Sequence, residues 1–85
     1  MKRNSTLVKL FNLQGGFCAF CEKKMDLSKT NSDDAPTIEH LLPKSRFKKL
    51  AKDPFNLVCA CRKCNNDKGD MSFAVFFRRR SLSND

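Results

Sequence analysis

Two Cys-x-x-Cys pairs constrain the fold of this chain more than any other feature. Cys18 and Cys21 form the first pair, and Cys61 and Cys64 form the second, in a chain of 85 residues. In each pair the two thiolates can reach one tetrahedral zinc ion, with nearby backbone amides supporting the sulfurs. Two such pairs in a short chain predict a structural zinc site with four cysteine ligands. The alternatives are redox chemistry or two unrelated buried pairs.

The short length explains why a metal is expected. A domain of this size buries only about 60–65% of the surface that its unfolded chain exposes, so its core needs a disulfide, a metal or a partner. The chain has five cysteines, and an odd number argues against a closed set of disulfides. Cys59 alternates with Cys61 in the apolar segment 57–61. We therefore predict that Cys59 is a small core residue and not a zinc ligand.

The charge of the chain favours a polyanionic partner. Lys and Arg number 17 against 9 Asp and Glu, and four thiolates with one divalent zinc lower the formal charge from +8 to +6. A basic surface attracts phosphate, although a basic surface that merely keeps the protein soluble is the alternative. No apolar run approaches the roughly 18 residues of a membrane span, and the first ten residues lack a secretion signal. We therefore expect a soluble, cytoplasmic protein.

The pattern of apolar residues and turn residues predicts a single α+β domain over residues 1–85. A first helix is expected from Ser5, as its cap, through Gln14, with Gly15 and Gly16 ending it. We call each Cys-x-x-Cys segment a knuckle. Between the two knuckles we predict a loop over 26–36, strands over 37–41 and 56–60, and a helical turn within 44–52. A polar helix is expected from the second knuckle to Lys68, followed by a helix over 71–79 that packs on the first helix. We divide the domain into an N-terminal helix (1–16), a zinc-containing core (17–68), and a C-terminal helix with a basic tail (69–85).

The distance between the two cysteine pairs is unusually long. Thirty-nine residues separate Cys21 from Cys61, against roughly 15–20 in a simple two-knuckle ribbon. Closing such a loop costs on the order of 3 kcal/mol, which zinc binding can offset. The insert holds His40, the only histidine. We expect the metal to clamp the ends of the insert and to bring Glu39 and His40 near Cys64 and Asn65.

The polar residues of the insert and the second knuckle occur in a characteristic order. Glu39-His40 is followed by Asn56 at the start of a predicted strand, then by the second Cys pair, Asn65, and Lys68 three residues later. In this order the chain resembles the zinc-containing HNH endonucleases, and the resemblance covers residues 18 to about 68. It implies a ββα-metal (His-Me finger) fold with flanking helices. Small free-standing members of this family often come from phages or mobile elements.

The resemblance and the chemistry of the residues imply the same site. Imidazole exchanges protons near neutral pH, so His40 is the expected general base for water. Glu39 and Asn65 offer oxygen ligands to a catalytic Mg²⁺ or Mn²⁺ that is separate from the zinc. The family usually carries Asp where this chain has Glu39. Asn56 is expected to bond backbone groups and fix the ring of His40, and Lys68 to bind a phosphate.

Each of these residues also has an ordinary structural interpretation. Glu39 would be a solvated strand residue, Asn65 a turn residue whose ligand role Asn66 could take, and Lys68 a surface charge. Adjacent residues of a strand point to opposite sides of the sheet. The side chains of Glu39 and His40 can therefore converge on one ion only if the strand twists or ends there.

The expected function is a metal-dependent DNA endonuclease that holds DNA mainly by its phosphates, with the basic run 78–80 among the contacts. It would act as a monomer or a homodimer. The alternatives are a non-catalytic zinc module that binds nucleic acid and a zinc adaptor that binds protein. The combination of Glu39, His40 and Asn65 favours the enzyme, because a module that only binds has no need of it.

Overall fold

The structure, a computed structural model, describes residues 4–83, with side chains through Arg79. The helices are α1 (Ser5–Leu13), α2 (Arg62–Lys68) and α3 (Phe73–Ser83), and the strands are β1 (Pro36–His40) and β2 (Leu57–Cys61). The order of the elements is α1-β1-β2-α2-α3. The predicted α+β class is confirmed, and the two strands followed by α2 form the expected ββα unit. No helix in the described range is long and apolar enough to cross a membrane.

Helix α1 is capped by a different residue from the one predicted. The Oδ1 atom of Asn4 accepts hydrogen bonds from the backbone amides of Thr6 (2.8 Å) and Leu7 (3.3 Å), so Asn4 is the N-cap and Ser5 is the first helical residue. Asn and Ser cap helices about equally well, and these two stand side by side. Gly16, with a φ of +84°, follows the helix, and a side chain there would meet the ring of Phe11 at 3.2 Å.

The two strands pair antiparallel, and their register places the two ends of the hairpin in different surroundings. Pro36 lies opposite Cys61, and His40 lies opposite Leu57. Each strand is shifted by one residue from its predicted bounds, toward the N-terminus for β1 and toward the C-terminus for β2. The hairpin therefore carries a cysteine ligand at one end and the histidine at the other, about 14 Å apart at 3.4 Å per residue.

The core is small and is centred on the cysteines. Its buried members are Leu7, Cys18, Phe20, Met25, Cys59, Ala60, Cys61, Cys64 and Phe76. The ring of Phe20 meets Phe76 and Phe77 edge to face, with centroids 5.4 and 5.6 Å apart. Helix α3 thus packs on the first knuckle, because its Phe side chains find their aromatic partner there, and its Phe76 also belongs to the same buried cluster as Leu7 of α1.

The long insert is anchored to the start of α2 by its backbone. The carbonyls of Ala35 and Asp33 accept hydrogen bonds from the amides of Arg62 (2.8 Å) and Lys63 (3.2 Å). The first amides of a helix have no partner within it, so these contacts satisfy α2 and fix the insert together. Within the predicted basic helical turn, only Lys48–Leu50 form a short 3₁₀ turn.

Candidate zinc and catalytic sites

The four paired cysteines converge on one point. The Sγ atoms of Cys18, Cys21, Cys61 and Cys64 all lie within 4.8 Å of one another, and those of Cys21 and Cys61 are 3.8 Å apart. A tetrahedron with Zn–S bonds of about 2.3 Å has sulfurs about 3.8 Å apart. The cluster therefore has the donor set and the spacing of a structural zinc site.

Backbone amides point at the sulfurs and help to set their charge. The Sγ of Cys18 accepts hydrogen bonds from the amides of Phe20 (3.4 Å) and Cys61 (3.3 Å), and the Sγ of Cys61 accepts one from Cys64 (3.4 Å). This last bond also caps α2. Cys61 is therefore the last residue of β2, the N-cap of α2 and one of the four cysteines around the metal position.

The thiols differ in how readily they ionise. Burial acts to raise the pKa of Cys18, but hydrogen bonds from backbone amides outweigh it and leave the pKa lowered. Burial raises the pKa of Cys61 and, more strongly, that of Cys64. A bound cation would offset the cost of ionising the buried thiols, because cysteine binds metal as the thiolate.

Cys59 takes no part in this cluster. Its side chain is fully buried, and its Sγ lies 3.9 Å from the sulfur of Met25. Its backbone is held by Gln14, whose Oε1 accepts from the amide of Cys59 (2.7 Å) and whose Nε2 donates to the carbonyl (2.8 Å). Gln14 thus ties the end of α1 to β2. No local pattern in the sequence marks this contact, because it joins residues 45 apart.

The second site lies at the far end of the hairpin, where Glu39 is buried beside a lysine. Glu39 is 6% exposed, and its Oε1 accepts hydrogen bonds from the amide of His40 (2.9 Å) and from Lys68 Nζ (3.2 Å). Lys68 Nζ also donates to the carbonyl of His40 (2.7 Å). Among the described residues, no hydrogen bond occupies Oε2 of Glu39.

The interpretation of Lys68 as a surface charge is wrong. Lys68 is 1% exposed, and its ammonium is enclosed between Glu39 and the backbone of His40. The geometry also gives no support to the predicted phosphate contact, because a phosphate in solvent cannot reach this ammonium. Sequence alone could place Lys68 one helical turn after Asn65. It could not show that this face of α2 lies over β1.

The ring of His40 is oriented by a backbone carbonyl. Its Nε2 lies 2.9 Å from the carbonyl oxygen of Ala51. A carbonyl can only accept, so Nε2 carries a proton, and in the neutral ring Nδ1 holds the lone pair. No hydrogen bond from a described residue occupies Nδ1. Strand β1 ends at His40, so the regular alternation of faces stops at this residue.

Asn56 holds the loop that carries Ala51. Its Nδ2 donates to the carbonyls of Leu42 (3.0 Å) and Leu50 (3.1 Å), and its Oδ1 accepts from the amide of Leu42 (2.8 Å). Leu50 directly precedes Ala51, so Asn56 fixes the ring of His40 through one intervening peptide. All three hydrogen bonds of the Asn56 side chain are therefore made to backbone groups of the loop.

Asn65 lies on the same face of α2 as Lys68. Its Nδ2 donates to Thr37 Oγ1 (3.0 Å), and that hydroxyl donates its only proton to the carbonyl of Ala60 (2.8 Å). The hydroxyl must therefore accept from Asn65, which turns Oδ1 of the amide away from Thr37. Thr37 and Glu39 are two residues apart, so their side chains lie on the same face of β1. Asn65 and Lys68 thus lie over Thr37 and Glu39, and the exposed Asn66 does not.

Comparison with known proteins agrees with this arrangement. The family model described as HNH endonuclease matches residues 18–71. The Septu protein PtuB of Bacillus thuringiensis is 30% identical over 60 residues, which are 71% of this chain and 22% of that protein. The chain thus spans about a fifth of the length of this relative. The match includes both cysteine pairs, the hairpin and α2, and this chain belongs to the HNH endonuclease family.

Proposed function

We propose that this chain is a metal-dependent DNA endonuclease, with His40 as the general base that activates water. The observation that carries the proposal is the hydrogen bond from His40 Nε2 to the carbonyl of Ala51. Among the described residues it leaves the basic nitrogen, Nδ1, without a hydrogen-bond partner and pointing away from the loop that holds the ring. A module that only bound nucleic acid would gain nothing from a histidine fixed in this way.

One oxygen of Glu39 and one oxygen of Asn65 are of the kind that suits a hard divalent cation. Oε2 of Glu39 and Oδ1 of Asn65 are the ligand atoms that the hydrogen bonds leave open, and carboxylate and amide oxygens are ligands that Mg²⁺ and Mn²⁺ prefer. When bound, the cation supplies Lewis-acid stabilisation of the phosphate and of the leaving 3′ oxygen.

The chain's own residues then divide the remaining work. Nδ1 of His40 takes a proton from a water molecule as that water attacks phosphorus. Lys68 positions both Glu39 and the carbonyl of His40, a role that replaces the predicted phosphate contact. One site in each chain cuts one strand, so cleavage of both strands requires a second copy or a second binding event.

The test compares plasmid cutting by the wild type and by His40→Gln. The glutamine amide can still donate to the carbonyl of Ala51, but it has no basic nitrogen. We expect the zinc-loaded wild type to nick supercoiled plasmid with added Mg²⁺ or Mn²⁺. We expect His40→Gln, with equal zinc content and an equal circular dichroism spectrum, to lose at least about 100-fold in rate. Intact plasmid with every divalent cation tried, together with retained DNA binding, would establish the non-catalytic module instead.

A further inference from the structure

The loop between the strands, residues 43–55, combines positive charge with an exposed aromatic side chain. Its five cations lie within residues 44–52, a stretch with no acidic residue, and they are Lys44, Arg46, Lys48, Lys49 and Lys52. All five are exposed. Phe55, at the end of the loop, is 92% exposed. A single exposed apolar residue has no meaning by itself, so its neighbours decide how it is interpreted.

The backbone at Phe55 is held in place although the ring of Phe55 lies in solvent. The backbone amide of Phe55 donates to Oδ1 of Asp53 (3.0 Å), and the amide of Asn56 donates to the carbonyl of Asp53 (2.9 Å). Pro54 restricts the backbone on one side, and the buried Asn56 anchors the other. When a flat partner stacks on the ring, little backbone entropy remains to be lost at this position.

Phe55 lies close to His40, the proposed general base. Phe55 is two residues from Leu57, a Cα separation of at most about 7 Å. Leu57 lies opposite His40 in the hairpin, where paired Cα atoms are about 5 Å apart. The Cα atoms of Phe55 and His40 are therefore within about 12 Å of each other, which is roughly three to four nucleotide steps along a strand.

We propose that residues 43–55 form a nucleic-acid-binding surface in which the lysines and arginine hold the backbone of a DNA strand and Phe55 stacks on an unstacked base near the cut. Basic residues with an aromatic platform are the combination that binds unpaired nucleotides. The inference rests on the proposed function for its substrate, DNA, but it concerns binding and is tested without cleavage. The unstacked base has two sources, since it is either unpaired beforehand or exposed when the ring opens a base step.

The test measures binding of the zinc-loaded chain, with no Mg²⁺ or Mn²⁺ added, by fluorescence anisotropy. Three probes are compared: a single strand, an intact duplex, and the same duplex with one unpaired base. We expect Phe55→Ala to bind the single strand and the unpaired-base duplex about ten-fold more weakly, and Phe55→Tyr to retain wild-type affinity. Leu13→Ala is the matched control, because Leu13 is also strongly exposed (77%) but lies on α1, and it should change nothing.

Salt dependence separates the two parts of the surface. Lys49→Ala should reduce the slope of log affinity against log salt by about 0.7 on the single strand, whereas Phe55→Ala should weaken binding with the slope unchanged. A 2-aminopurine in the probe reports stacking. If the wild type changes the fluorescence of both the intact duplex and the duplex with an unpaired base, the ring of Phe55 opens a base step. If only the duplex with the unpaired base changes, the ring binds a base that is already unpaired.

Wild-type affinity of Phe55→Ala for all three probes would overturn the proposal. So would weaker binding of Phe55→Ala without any difference from the wild type in 2-aminopurine fluorescence. Neither result bears on the cutting assay with His40→Gln, so the two proposals fail separately.

Discussion

The two ends of the β hairpin are stabilised in different ways. At the Pro36–Cys61 end, four thiols and a buried core surround the metal position, and zinc bound there would add to the stability of the fold. At the His40–Leu57 end, the side chain of Asn56 and one buried ion pair hold an otherwise exposed loop. From this difference we infer that the first end stabilises the fold. The second end holds Glu39 and His40 in fixed positions and leaves Oε2 and Nδ1 without hydrogen bonds from described residues.

The largest effect should come from the zinc end. Cys64→Ser removes one thiolate, and because zinc coordination contributes on the order of 10 kcal/mol to the folding of small metal-bound domains, we expect loss of both metal and structure. Elemental analysis and far-UV circular dichroism measure these. Cys59→Ala, which removes the one thiol outside the cluster, should keep one zinc per chain. A folded Cys64→Ser protein with full zinc content would refute the four-thiolate site.

The buried ion pair should show the next largest effect. Lys68→Met leaves the carboxylate of Glu39 buried without its ammonium, at a cost of about 3–5 kcal/mol in the free energy of unfolding. The double variant Glu39→Gln/Lys68→Met should recover most of that loss because neither charge remains. Urea denaturation of the zinc-bound proteins measures both.

The exposed pair on the same helix provides the control for this experiment. Lys63 and Asp67 are 3.0 Å apart but more than half exposed, so Lys63→Met should lower the free energy of unfolding far less than Lys68→Met does. Equal losses for Lys63→Met and Lys68→Met would mean that burial of the Lys68 pair contributes nothing.

Asn56→Ala should loosen the far end while leaving the zinc end intact. It removes three hydrogen bonds to backbone groups of the loop, which corresponds to about 2–4 kcal/mol. Hydrogen exchange should accelerate at the amide of Leu42, and the amide of Cys64 should stay protected. Asn66→Ala, an exposed change on α2, should alter neither. If both amides exchange faster in Asn56→Ala, the two ends do not unfold independently.

Much of this arrangement was predictable from the sequence, because local spacing carries it. The cysteine pairs and the glycine stops each reflect chemistry within a few residues, and the order of Glu39, His40 and Asn56 carried the resemblance to a family. The contacts of Lys68 with Glu39 and of Ala51 with His40 were not predictable. The first contact depends on how α2 lies across β1, and the second depends on where the loop places the carbonyl of Ala51. Neither arrangement requires a particular residue type at a particular spacing, so the sequence does not reveal it.

The smallest predicted effect lies in the first knuckle. Glu22 has a φ of +64°, a conformation that costs a residue with a side chain about 1–2 kcal/mol. Glu22→Gly should therefore stabilise the zinc-bound protein, by about 0.5–1 kcal/mol after the greater flexibility of the unfolded chain is counted. Thermal unfolding measures the gain. Lys23→Gly, next to it at an ordinary φ, should destabilise, and the opposite order would argue against the described knuckle.

The placement of two zinc ligands on each side of the insert has a consequence for the integrity of the molecule. The segment 28–31 is exposed and lies between the two halves of the metal site. A protease cut there would leave two peptides, each holding two sulfurs of the same ion. Native mass spectrometry should then detect a single particle that a chelator divides in two, so coordination, more than the continuity of the backbone, keeps this protein in one piece.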